Sequence, residues 1–176
     1  MMKIREALPA DAPAIGRVGR DSYATAFRDS MQPRELSQML DQEYSDGVVS
    51  ALISSECVLV ADVDAEVVGF AVIAQSDHEM ARWAPWELRK LYAHPKCQNQ
   101  GVGAALIEAS LSARANSDLV LDVWKENLGA RRLYERFGFS HVGARANPNP
   151  GISNSDPDLV MVRGCSLTGS GKSPAA

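Results

Sequence analysis

The residues best suited to chemistry stand in "LYAHPKCQNQGVGAAL", positions 91–106. A short apolar run ends at His94-Pro95, polar residues follow, and Gly101 and Gly103 open a run with helical spacing. At a strand–turn–helix junction the first helical amides lack intrahelical acceptors and sit at the positive end of the helix dipole. Glycines leave that backbone open, so the amides can hold a phosphate without help from a basic side chain. Two nucleotide loops do not fit. A Walker loop needs a Lys after its last glycine, and Ala104 follows Gly103. A dinucleotide fingerprint needs a third small residue where Leu106 stands, at the start of a βαβ series, and this junction comes late in the chain. Metal chemistry has less support. His78, His94 and His141 form no spaced ligand set, and Cys57, Cys97 and Cys165 contain no C-x-x-C.

Several elements must position this junction. "KIREAL" (3–8) alternates as a strand does, and Asp11 stands as an N-cap, with Pro13 in the first turn of a helix to about Phe27. "QPRELSQMLDQEY" (32–44) reads as a second helix, which "VVSALI" (48–53) could continue. "CVLVADVDAEVVGFAVIAQ" (57–75) reads as a hairpin turning near Asp64 and Ala65. A polar connection (76–86) leads to a strand at 87–93, the glycine junction, and a helix from about Val102 to Ala115. The apolar face of that helix is Val102, Ala105, Leu106 and Ala109. A strand at 118–124 and a helix at 126–138 follow, with Gly138 placed to end the helix. Two last strands, 139–145 and 158–164, should pair antiparallel around a Pro/Asn/Gly/Ser-rich loop at 146–157. The order β-α-α-β-β-β-α-β-α-β-β predicts a mixed α/β domain with a mostly antiparallel sheet. One parallel pair, 87–93 with 118–124, should be joined by a right-handed crossover.

At 176 residues and 45% hydrophobic content the chain suits one domain, 1–164, with 165–176 composed like a disordered tail. Eighteen basic and 22 acidic residues leave a charge of −4, which argues against a nucleic-acid or anionic-membrane binder and suits a cationic partner. The odd cysteine count, and an N-terminus without the apolar stretch of a secretory signal, predict reduced thiols and a cytoplasmic location. No apolar run approaches the length of a membrane span.

"HPKCQNQGVGAALI" resembles the Q/R-x-x-G-x-G/A signature of the GCN5-related N-acetyltransferases (the GNAT superfamily), carried here by Gln98, Gly101 and Gly103. "WKENLGARRLYERFGF" resembles the second motif of that superfamily, with Asn127, Tyr134 and Gly138-Phe139 in the matching places. The resemblance spans about residues 2 to 163. The text "SYATAF", "PREL" and "WELRKLYAHP" is similar to the PaiA-type polyamine acetyltransferases.

The resemblance implies a GNAT fold with acetyl-CoA in a gap where two parallel strands splay apart, and no metal. On the matching positions, the backbone of Leu91, Tyr92 and Ala93 would pair with the pantetheine. Gln98 and the amides of Asn99, Gln100, Gly101, Val102, Gly103 and Ala104 would hold the pyrophosphate, and Asn127 would touch the cofactor farther on. Many relatives carry Arg or Lys where Asn99 and Gln100 stand, so affinity here would lean on the helix terminus. Tyr134 matches the family's general acid, and a phenol near pKa 10 is protonated at neutral pH. A strand amide near Tyr92 would stabilise the oxyanion. For the base, Glu87 matches the glutamate of the superfamily's histone acetyltransferases. Asp122 stands where its ribosomal-protein alanine acetyltransferases carry theirs. The acceptor pocket would use residues 11–53 and the 76–86 loop, where Asp77, Glu79, Trp83 and Trp86 could hold a cationic amine. The expected partner is a small cationic amine such as a polyamine; pairing of two copies is left open. Acetylation of a protein N-terminus or lysine, and a non-catalytic acyl-CoA sensor, are the alternatives.

Overall fold

A computed structural model of the chain describes residues 1–29, 31–81, 83–115, 117–146 and 157–164. The expected tail at 165–176, Cys165 and most of the 146–157 loop lie outside these. Among the described residues the strands are β1 (Met2–Glu6), β2 (Cys57–Val63), β3 (Glu66–Gln75), β4 (Trp86–Ala93), β5 (Leu119–Trp124), β6 (Ser140–Arg145) and β7 (Asp158–Arg163). They form one seven-stranded sheet in the order β1-β2-β3-β4-β5-β7-β6. Helices α1 (Ala12–Phe27), α2 (Pro33–Tyr44) and α3 (Asp46–Ser55) come before the hairpin, with α4 (Val102–Ala113) and α5 (Leu128–Arg136) after β4 and β5. β4 and β5 are parallel, the other pairs antiparallel, as the sequence pattern predicts.

Strand alternation divides the core. Val60, Phe70 and Val72 face Ile15 and Val18 of α1 and Val49 of α3. Ala61, Ala71, Ile73 and Leu121 face Leu106 and Ile107 of α4 and Tyr134 of α5. The 76–86 segment covers the remainder of the first face, where Ala81 and Ala84 pack on Val120, Val160 and Val162.

Two local expectations change. Helix α2 does not run on into 48–53: Ser45 is extended (φ −70°, ψ 153°), and α3 starts as a separate helix. Asp11 precedes α1, but its carboxylate does not cap it. It accepts the Leu8 N–H (2.7 Å) and a two-pronged contact from Arg5 (2.6 and 3.0 Å), which hold its carboxyl below the usual range. The hairpin turn falls where expected. Asp64 and Ala65 both have positive φ (51° and 67°), the geometry of a two-residue turn that matches strand twist.

Two features aim the later chain at the site. In β3–β4 the register jumps from Val72↔Lys90 to Ile73↔Leu88, making Arg89 a bulge residue. The parallel ladder has only two pairs, Trp86↔Leu119 and Glu87↔Val120. Beyond them β4 follows β3 and β5 follows β7, so the strands diverge.

The packing of α1 on α2 is testable. A Cβ at Gly19 would lie 2.4 Å from two atoms of the Tyr44 ring, which is 3% exposed. Gly19→Ala should destabilise the domain by about 1–3 kcal/mol, the usual cost of overpacking. Urea unfolding reads this directly, and an unchanged midpoint would mean that the Tyr44 ring yields freely.

Candidate active site

The splay of β4 from β5 opens a cleft of about 790 Å³ lined from both faces of the sheet. Gln98, Asn127, Ala130 and Tyr134 line it from the α4–α5 side, and Ser22, Tyr23 and Phe27 from α1. Leu91 and Tyr92 of β4 border it, as do Glu87 and Asp122.

At the glycine junction, Gly101 precedes α4 with φ +86°, a conformation that suits a residue without Cβ. Asn99 is also left-handed (φ 60°). The first intrahelical bond runs from the Ala105 N–H to the Gly101 carbonyl (2.9 Å), so the amides of Val102, Gly103 and Ala104 precede the ladder. No atom lies within 4 Å of a Cβ built on Gly101, so the backbone there can be approached closely. At Gly103 the same Cβ would meet Leu133 at 3.1 Å. Its missing side chain accommodates α5, a packing role that the sequence reading did not give it. Val102 is 3% exposed and packs in the core, which leaves only its amide for a ligand. Gln98 and Gln100 donate to the carbonyls of Ala93 (3.5 Å) and Lys96 (3.0 Å). The Ala93 carbonyl also accepts the Ser22 hydroxyl (3.1 Å), tying α1 to the end of β4. His94 closes the strand end as the sequence suggests: Nδ1 accepts the Lys96 N–H (3.3 Å), and Nε2 lies 3.1 Å from Asp21.

Tyr134 is held from both ends of α5. Asn127 accepts the Ala130 N–H (3.1 Å) as N-cap. At the other end Gly138 has φ +84°, and the N–H groups of Phe139 and Gly138 donate to the carbonyls of Tyr134 (3.1 Å) and Glu135 (3.0 Å). This is a Schellman cap, and its apolar contact is Phe139 edge-on to Tyr134, ring centroids 5.8 Å apart. Tyr134 is 7% exposed, and burial pushes its phenol well above the usual pKa, with Tyr92 adding to the shift.

The carboxylates differ. Glu87 sits at the last rung of the parallel ladder, its Oε2 accepting from Arg89 Nε (3.4 Å). Asp122 is more tightly engaged: His78 Nε2 lies 3.1 Å from one oxygen, and Arg145 pairs with the other. Asp158 also borders the cleft; burial raises its pKa, Asp122 adds to this and Arg145 opposes it.

The four residues expected to hold an acceptor are not among those that line the cleft. Asp77 and Glu79 lie in the segment laid over β5 and β7, Trp83 is 58% exposed, and the Trp86 ring stacks under Arg114 at 4.0 Å. The cleft instead has Tyr23, Phe27 and Trp124, with Phe27 centred 4.3 Å from Tyr23 and 5.3 Å from Trp124. Glu43 and Glu126 also line the cleft, Glu43 paired with Lys90 (2.8 Å). The i, i+4 pair Tyr23–Phe27 was the available signal, though the same spacing also marks core. Among the described residues no group of three or more His, Cys, Asp or Glu could hold a metal, and no helix is long and apolar enough to cross a membrane.

Comparison with known proteins agrees with this geometry. A family model described as "Acetyltransferase (GNAT) domain" matches residues 54–141, half of the chain. No curated protein sequence matches. Among solved structures, the PaiA N-acetyltransferase of Thermoplasma acidophilum in complex with coenzyme A is similar, with TM-score 0.73 at 18% identity, covering 93% of this chain and 99% of that one. A histone acetyltransferase HPA2 and related acetyltransferase of Corynebacterium glutamicum gives 0.70 at 21%, over 93% and 96%. The putative acetyltransferase yncA of Salmonella typhimurium, with acetyl-CoA, gives 0.67 at 19%, over 100% and 99%. At these identities the likeness is one of fold. The matched segment runs from the end of α3 into β6 and takes in the glycine junction, the splayed strands and capped α5, so the chain belongs to the GNAT family of N-acetyltransferases.

Proposed function

We propose that the chain transfers an acetyl group from acetyl-CoA directly to a small cationic primary amine, such as a polyamine, in a ternary complex. One observation carries this reading: a single cleft through the sheet is bordered by buried Tyr134 on one face and by the aromatic side chains of Tyr23 and Phe27 on the other. Donor and acceptor entering from opposite faces would meet at the splay.

The residues fit acetyl-CoA. Past Glu87 the β5-facing edge of β4 has no ladder partner among the described residues, and the first amides of α4 precede its helical bonds. Leu91, Tyr92 and Ala93 would offer backbone to the pantetheine arm, and the amides from Asn99 to Ala104 would hold the pyrophosphate. Asn127 keeps its amide nitrogen for the cofactor while its oxygen caps α5. When bound, acetyl-CoA supplies an activated thioester.

In the reaction the amine nitrogen bonds to the acetyl carbon as the C–S bond breaks. Tyr134 would donate its phenolic proton to the departing sulfur, and its raised pKa keeps that proton in place until then. The proton lost by the amine would pass to Glu87. Asp122, already bound by His78 and Arg145, is better suited to fixing the cleft wall than to accepting a proton. Tyr23, Phe27 and Trp124 would hold the cationic chain by cation–π contacts, with Glu126 at the rim.

Tyr134→Phe should leave acetyl-CoA binding intact and lower kcat by roughly 10²–10⁴-fold. Because burial raises the phenol above its ordinary value, Tyr134 stays protonated through the alkaline assay range. The alkaline limb of the rate profile should therefore keep its position in the mutant. Native turnover would deny Tyr134 its role.

Acceptor charge gives a separate test. Glu126→Gln should raise KM for spermidine more than it lowers kcat, with little effect on a neutral amine. The pair Asp77→Asn with Glu79→Gln should change neither. The reverse pattern would return substrate recognition to the 76–86 segment.

A further inference from the structure

We propose that a second cavity, bordered by Trp86 and Arg114, is a binding site for a small carboxylate anion. It measures about 380 Å³ and opens where the end of α3, the ends of β2–β4 and the end of α4 converge. Arg89, Arg114 and Glu56 are the charged residues of its wall.

The two arginines differ in what they still lack. Arg89 is fully engaged: its nitrogens donate to Glu56 (3.2 Å), the Gln75 carbonyl (3.1 Å) and Glu87 (3.4 Å). That contact also occupies Glu56. Arg114 donates through Nη1 to the Ala113 carbonyl (2.9 Å), and its guanidinium carbon lies 4.0 Å from the Trp86 ring centroid. Its Nε is buried and has no acceptor among the described residues. A buried donor on a charged group is costly to leave unsatisfied. The Nε–Nη2 edge is the fork that donates to both oxygens of a carboxylate, and stacking on Trp86 holds that fork in one plane.

The rest of the wall selects the class of ligand. With Arg89 taken up by Glu56 and Glu87, Arg114 is the cation of this wall without a carboxylate partner among the described residues; its single charge matches a monoanion, and planar oxygens match the guanidinium. Cys57 and the Trp86 ring, both half-buried, offer apolar contact to a short alkyl chain beyond the carboxylate. A tetrahedral dianion would exceed the available charge and would leave that apolar wall unused.

The test uses the full chain with CoA at saturating concentration, so that the cleft is filled. Sodium propionate is titrated against sodium chloride at matched ionic strength, and the Arg114 Nε–H and Trp86 indole N–H are followed by ¹H–¹⁵N NMR. Both should shift saturably with propionate. In Arg114→Gln the Trp86 shift should need roughly ten- to a hundredfold more propionate, the loss expected of a charge-assisted pair. Arg114→Lys should fall between, and acetyl-CoA affinity should be unchanged in both variants. A response no larger than that to chloride, or an unaltered propionate midpoint in Arg114→Gln, would overturn the site. Inorganic phosphate binding more tightly than propionate would overturn the carboxylate assignment.

Discussion

The short ladder between β4 and β5 is the constraint on which the site depends. A parallel pair of six- and eight-residue strands could hold many rungs, yet only two form, ending at Glu87↔Val120. Each strand has a stronger claim elsewhere. β5 pairs with β7 along its whole length, from Leu119↔Arg163 to Trp124↔Asp158. β4 stays with β3 through a bulge at Arg89, two residues beyond the last parallel rung. A bulge bends its strand and sharpens local twist. The bend carries Leu91 and Tyr92 away from β5 while leaving them in the sheet. The cleft is thus a packing consequence: opening it needs no helix to move, only two strands that follow different neighbours.

That geometry explains what could be read in the sequence. The crossover topology was legible because strand–glycine–helix–strand has few right-handed solutions. The second motif was legible because much of it is helix punctuation. Asn127 is an N-cap, Gly138 takes the left-handed residue after the helix, and Phe139 and Tyr134 make the apolar contact of the Schellman cap. The break at Ser45 was hidden because both halves of 32–53 have helical composition, and a serine serves as readily on a helix surface as before an N-terminus. The aromatic wall of the cleft was hidden for another reason. Trp83 and Trp86 sit together in sequence, whereas Phe27 and Trp124 meet only after α1 is laid across the sheet. Adjacent aromatics drew the reading to a segment that does not line the cleft.

The charges around the cleft show why residue type alone cannot assign a base. Glu87 and Asp122 both border the space, and each has a cationic neighbour. Asp122 is held on both oxygens, by His78 from the segment covering β5 and by Arg145 from β6. Removing either partner would leave a carboxylate with 13% side-chain exposure poorly compensated, a costly state for a buried charge. Its place between three elements makes it a fastener. Glu87 shares its arginine with Glu56, which spreads one positive charge over two carboxylates and leaves Glu87 less firmly committed.

Helix α5 shows the same economy on a smaller scale. At nine residues it is too short to persist alone, since isolated helices below about 12–15 residues are marginal in water. Its stability must come from caps and from burial, and Tyr134 participates in both. The ring packs in the core against Phe139, while its backbone carbonyl accepts the Phe139 N–H that closes the cap. The residue proposed to give up a proton is therefore among the most firmly placed on the helix. Its hydroxyl can face a reacting atom because the ring and carbonyl carry the structural load, so a chemical role adds no fold requirement beyond one oxygen.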